Sequence, residues 1–447
     1  MKRTLIVLGV AVLAAALLLP GLVGGLALRQ HERQIGMTTR ASPHIRLTTD
    51  SFERGWFRSH GRYTVELSDE LQRVIRRAAP EGEPATELPA LLVDSALHHG
   101  PFALTAAFTH GGTLKPVLGT VVSTLTLVEN GATVFALPGE VVTHLRFGGG
   151  GTAHYASGPI RVEDPGESLS WGGADVEIDF SAGASRISGS GSLAALTAVD
   201  ADGRLVAGPL EFSFQQSMSG FGFRLGESRL EMARLAYTAR GRAQAGLQGV
   251  RMRWAAHLPG ESVVAEMELA IAEVGANGWS GGPLVFRMLS RELEPGALGR
   301  FLKALQTMNP AAATGTSPQP AGISNELAAL LANGAHFVLE ELRMRTPEGE
   351  LYASATVEFP DKPGAGGDDL LLLAFGSSWD VTVRVPIALA AAAAAANPDS
   401  QQYVQLLRDT GFLRAEDDHY VVHAIYAGGL LTVNGIPVPM PFSATTT

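Results

Sequence analysis

From Tyr63 to Phe286 the chain repeatedly alternates apolar and polar residues with a period of two. Residues 63–67 (YTVEL), 176–180 (VEIDF), 210–214 (LEFSF), 230–237 (LEMARLAY), 250–254 (VRMRW) and 264–271 (VAEMELAI) all do so. A strand with one face on a core and one in water reads this way. Asn130-Gly131 and Asp202-Gly203 are two-residue hairpin signals. Strands recur every 12–20 residues or so without a fixed period, which favours an antiparallel meander over a strict solenoid. The pattern changes near Met288. Apolar residues at 298, 301, 302 and 305 have helical spacing, and 325–331 reads as a helix capped by Ser324. Residues 309–322, rich in Ala, Thr, Ser, Pro and Gly, read as a flexible surface linker. Strands return at 337–344, 351–359, 379–385, 419–426 and 430–433, with helices expected at 389–396 and 401–408. The expected fold class is mainly β with some α. It is an N-terminal transmembrane helix followed by a long, curved, mostly antiparallel sheet with a few packed helices.

One stretch breaks the alternation altogether. After Met1, Lys2 and Arg3 there is no charge from Thr4 to Leu28. A run of about 20 apolar residues is long enough to cross a bilayer. Thr4, Leu5, Ile6, Leu13, Leu17, Leu18, Leu19, Leu22, Val23 and Leu26 would form this anchor. The leading charges place the N-terminus inside and the rest outside. A cleaved signal peptide and a buried helix are the weaker readings, since no Ala-x-Ala site precedes Arg29. Gly21 and Gly25 have the spacing that lets two such helices approach, so a homodimer is one expectation. The expected division is 1–28 anchor, 29–50 connector, 51–287 β-rich region and 288–447 α+β region.

The net charge is −10 over 447 residues, with no basic stripe, which excludes nucleic acid as a partner. Zero cysteines exclude disulfides and thiolate chemistry, so stability must come from burial. The 52 glycines suit the turns between many strands. Gly278-Trp279-Ser280-Gly281-Gly282 matches a nucleophile-elbow string, but such an elbow needs a helix after the serine, and Pro283 follows closely. His419 and His423 would flank a metal on a helix. On a strand they lie about 13 Å apart, too far to share one. Gly189-Ser190-Gly191 lacks the third glycine of a dinucleotide loop. Glu177 and Asp179 read as a solvent face. No cofactor and no catalytic constellation is expected.

Several landmarks occur in order: Arg54, Gly55, Trp56, Phe57, Arg58 and Ser59; His99, Gly100, Pro101 and Phe102; Thr346, Pro347, Glu348 and Gly349; and Tyr420 through Asn434 and Gly435. With the charged, apolar start, this order resembles the YdgA-like family of Gram-negative bacteria across essentially the whole chain. The resemblance implies a largely β periplasmic protein anchored in the inner membrane, of uncharacterised function. It supplies no catalytic residue. The residues themselves read as turn and packing positions, with Trp56 and Phe57 the best candidates for binding. The leading expectation is a membrane-tethered scaffold or binding protein of the cell envelope with a lipid or envelope-protein partner. A carrier of lipid or another hydrophobic ligand in an apolar sheet groove, and a hydrolase using Ser280, are the alternatives.

Overall fold

The computed structural model describes residues 45–438 apart from 54–57, 69–71, 73–88, 100–116, 118, 130, 147–148, 202, 240–243, 308–320, 363 and 397. Two compact units divide the chain: Met1–Met218 with Gln306–Ser317, and Ser219–Leu305 with Pro318–Thr447.

The first unit carries strands β1 (Ile45–Glu53) through β13 (Leu210–Met218). Antiparallel pairing runs β1–β2–β3–β4–β5–β6–β9–β10–β13. Two insertions, β7–β8 (Ile160–Asp164 and Glu167–Trp171) and β11–β12 (Leu196–Val199 and Gly203–Ala207), meet through β8 and β11 to make a second, four-stranded layer. Alternation decides what each strand buries. On β9 (Ala174–Phe180) Val176, Ile178 and Phe180 face the core. Asp179 faces outward and accepts hydrogen bonds from Arg146 at 2.7 Å and Thr152 at 3.2 Å. Trp171 on β8 and Ala198 on β11 close the same core from the second layer. Each fully buried Leu or Phe there stabilises by about 1.5–3 kcal/mol.

Glutamate 129 pairs with Ala132, the two-residue turn expected at Asn130-Gly131. The turn before β12 is longer than expected. Val199 pairs with Arg204, and Gly203 donates to the Asp200 carboxylate at 2.8 Å, so Asp200 rather than Asp202 closes it. The Gly189 to Gly191 stretch lies inside β10 (Arg186–Leu193). Its two glycines sit opposite Phe214 and Phe212, and a Cβ on Gly191 would meet the Phe212 ring at 2.8 Å.

The second unit pairs β14 (Arg224–Ala239), β15 (Gln244–His257), β16 (Val263–Ile271), β19 (Leu284–Leu293), β20 (His336–Thr346), β21 (Gly349–Glu358), β22 (Ser378–Pro386) and β24 (His419–Ala427) in that order, all antiparallel. One edge of β24 then pairs with both β23 (Arg414–Glu416) and β25 (Leu430–Val433). Among the described residues five helices accompany the sheet: α1 (Pro295–Thr307), α2 (Ala321–Leu331), α3 (Leu370–Gly376), α4 (Ile387–Ala396) and α5 (Pro398–Asp409). Helices α1 and α2 close a core with Val263, Leu293 and Phe337. Glu294 starts α1 by accepting the amides of Gly296 and Ala297 at 2.7 and 2.5 Å. Helix α2 begins at Ala321, so Ser324 lies inside it rather than capping it. Helix α3 had no counterpart in the sequence reading, because a seven-residue apolar string is too short to show a period.

The expected fold class requires one correction. Among the described residues no helix is long and apolar enough to cross a membrane. The longest, α1, has 13 residues and spans about 20 Å against a hydrocarbon core of roughly 30 Å. The anchor residues, Thr4 to Leu26, lie outside the described residues. The fold shown is mainly β, antiparallel, with a minority of helix.

One face of the second unit's sheet carries an ion-pair network. Glu227 accepts from Arg229 at 2.7 Å and Arg253 at 2.8 Å, and Arg253 also approaches Glu266 and Glu268. Hydrogen bonds from Arg253 and then Arg229 hold the Glu227 carboxyl below its usual 4.5. A depressed folded pKa adds stability above the unfolded value, which is lost as pH falls through the folded one. Glu227→Gln is therefore expected to lower the urea midpoint at neutral pH, with the difference from the parent vanishing in strong acid. A difference that is constant with pH would contradict this assignment.

Candidate functional site

Arg54, Gly55, Trp56, Phe57, Gly100, Pro101 and Phe102 fall outside the described residues. Ser59 is buried on β2 (Arg58–Leu67), and His99 ends β3 (Ala90–His99) opposite Gly119. Ser280 lies on β18 (Trp279–Gly281), which pairs with β17 (Glu273–Ala276) across Asn277 and Gly278. Those two residues have φ of +52° and +85°, the signature of a type I′ hairpin. Strand–turn–strand is not an elbow, and the 190 Å³ recess around Ser280 is lined by Arg234, Gln248, Glu273 and Trp279 without a histidine. The hydrolase reading of Ser280 therefore lacks its geometry.

Asn434 and Gly435 are the landmark that does organise a site. They form a two-residue turn between β25 and β26 (Ile436–Val438), with φ of +51° and +79°. The Asn434 Oδ1 accepts the His423 amide at 2.8 Å. Its Nδ2 donates to the carbonyls of Val421 at 3.0 Å and Phe412 at 3.2 Å. One side chain thus ties strand β24 to the chain entering β23.

Beside this clamp lies a groove of about 740 Å³ on one face of β21, β22, β24 and β23. Register builds it. One cross-strand row reads Tyr352, Arg384, Val421, Arg414, and the next reads Ser354, Thr382, His423. Glu416 stands opposite His419 and lies 3.8 Å from Arg384 and 3.5 Å from Arg414. His423 Nε2 is 3.0 Å from Asp380. The His419 ring is held on both nitrogens, by Asp418 and by the Glu350 carbonyl. His419 and His423 are on a strand, and among the described residues no group of His, Asp and Glu is placed to hold a metal.

The opposite face of the same sheet is apolar. Register aligns Leu230, Met252, Leu269, Phe286, Leu342, Ala353, Val383 and Val422 in one row across eight strands. Met267 and Met288 lie in the neighbouring row. At the next row on, Phe337 belongs to the core closed by α1 and α2, and Tyr426 reaches the Phe375 carbonyl of α3 at 2.9 Å. The row itself is half-buried, apart from buried Ala353 and exposed Met252 at 37%; Met288 in the neighbouring row is also 37% exposed. At about 4.8 Å per strand it is roughly 34 Å long. The individual strands were legible in the sequence; the pairings that join them into a strip and a groove were not.

No curated protein and no solved structure is significantly similar to this chain. A model for a bacterial protein family of unknown function, DUF945, matches residues 1–441, and the chain belongs to that family.

Proposed function

We propose that this is a non-catalytic binding protein of the bacterial cell envelope, in a YdgA-like branch of its family, that holds an apolar partner along the strip. The half-buried apolar row across eight strands, with Met252 and the neighbouring Met288 exposed, carries this reading, because contiguous apolar surface left open to solvent marks an interaction site. The charged start and the uncharged run from Thr4 to Leu28 support an envelope location on the outer side of the inner membrane. An envelope protein is the first occupant. A lipid chain is the second, favoured by Met252, Met267 and Met288, whose flexible thioethers adapt to varied apolar ligands.

A photo-crosslinking residue at Met288 is expected to give an adduct in intact cells. Mass spectrometry of the adduct distinguishes protein from lipid. Phe286→Asp in the same chain is expected to reduce the yield about tenfold, the scale of burying an unpaired charge. No adduct in cells that contain the folded chain, or protection of the chain from protease added to spheroplasts, would sink the proposal.

A further inference from the structure

The groove on the opposite face has no role in the apolar strip, since Thr382, Arg384, Val421 and His423 alternate with Val383 and Val422 along their strands. Its chemistry selects against three ligand classes. Val421 and the Tyr352 ring are its main apolar surfaces, and Val421 is buried beneath its neighbours, so an acyl chain has little to contact. A strongly anionic ligand would meet a carboxylate beside each cation it approached: Glu416 beside Arg384 and Arg414, Asp380 beside His423 and Asp418 beside His419. A cationic ligand would meet Arg384 and Arg414, whose side chains are 54% and 68% exposed. Most of the ionic groups are already matched to one another: Glu416 sits between the two arginines, Asp380 faces His423, and Asp418 faces His419, while the Glu350 carboxylate also lines the groove and balances the two arginines and Glu416 to no net charge.

What remains is a dense mixture of donors and acceptors. The hydroxyls of Ser354, Thr382 and Tyr352 line the groove together with the free edges of the guanidinium and carboxylate groups. The contacts between Glu416 and the arginines are long, 3.5 and 3.8 Å, so those groups retain hydrogen-bonding capacity toward a ligand. Vicinal hydroxyls, each both donor and acceptor, satisfy such a lining without adding net charge. The Tyr352 ring beside Arg384 offers an apolar platform at one margin. The volume lies within the usual range for a ligand site, roughly 300–1,000 Å³. We infer that this groove is a binding site for a neutral sugar chain, contacted through Ser354, Thr382, Arg384, Arg414 and Glu416 with Tyr352 at its edge.

The test is calorimetric titration of the full-length chain in detergent with cellotriose, maltotriose and chitotriose, and with glucose, trigalacturonate and inorganic phosphate for comparison. At least one neutral trisaccharide is expected to bind with a Kd of about 1 mM or tighter. Glucose is expected to bind at least about tenfold more weakly, which separates a chain from a free monosaccharide. Arg384→Met and Thr382→Val, each with an unchanged melting curve, are expected to weaken the trisaccharide about tenfold. Ser354→Ala serves as the mildest variant if either of these fails to fold. Absence of binding by all three neutral trisaccharides, tighter binding of trigalacturonate or phosphate, or affinity unaffected by the folded variants would overturn the inference.

Discussion

Gly191→Val is expected to lower the stability of the first unit by about 3 kcal/mol, at the upper end of the usual cost of overpacking. Gly191 lies between Val176 on β9 and Phe212 on β13 in the register of β10. A Cβ there would stand 2.8 Å from the Phe212 ring and 2.9 Å from a Val176 methyl. The ring fills the space that a side chain would otherwise occupy, as aromatic residues do over strand glycines. Neither neighbour is the free end of a flexible chain, so relief requires moving a ring that packs against the unit's core. Phe212→Ala alone loses ring burial. The double variant is expected to be more stable than the sum of the two single changes predicts, because truncating the ring removes the clash. Urea unfolding of the four proteins measures the coupling. Additive losses would show that the ring does not occupy the glycine's space.

Asn434→Gly is expected to cost about 2–3 kcal/mol, the net loss of several side-chain hydrogen bonds at about 1 kcal/mol each. Glycine keeps the positive φ of the turn, so this change isolates the side-chain hydrogen bonds from backbone strain. The His423 amide and the carbonyls of Val421 and Phe412 lose the partner they share. Asn434→Asp retains an acceptor for the His423 amide but loses the Nδ2 donations, so an intermediate loss is expected. Unfolding midpoints rank the three proteins. Hydrogen exchange locates the effect, with faster exchange expected at His423 and in β25. Equal stability of the parent and the glycine variant would show that the turn conformation alone matters and the clamp does not.

The same two positions show how far the sequence can be read. Gly189 and Gly191 could be excluded from a dinucleotide loop by their spacing, but their own role could not be read from it. Their partners, Phe214 and Phe212, are more than twenty residues away, and only the register of β10 on β13 brings ring and glycine together. Asn434-Gly435 was legible as a tight turn from local chemistry alone, and it is one. Its hydrogen bonds to the 411–412 segment depend on tertiary placement and left no local trace. Ser280 stayed an alternative nucleophile only because the glycines around it match an elbow string; the Asn277-Gly278 turn before it closes a hairpin instead. Helix α3 was missed because Leu370 to Gly376 offers composition without a period.

Local physics therefore determined the β character of this protein, most of its strands, four of its five described helices and the tight turns at Asn130-Gly131 and Asn434-Gly435. Alternation, helix period and turn chemistry each act over a few residues, and the chain states them openly. Pairing between distant strands decided the rest. It aligned eight apolar residues into one strip, turned the polar residues of β21, β22, β23 and β24 into one groove, and placed the two on opposite faces of the same sheet. A one-residue slip in any of those ladders would exchange strip for groove, because side chains alternate with a period of two. That register is held by packing and hydrogen bonds between segments far apart in sequence, which is why the alternation predicted strands without predicting a site.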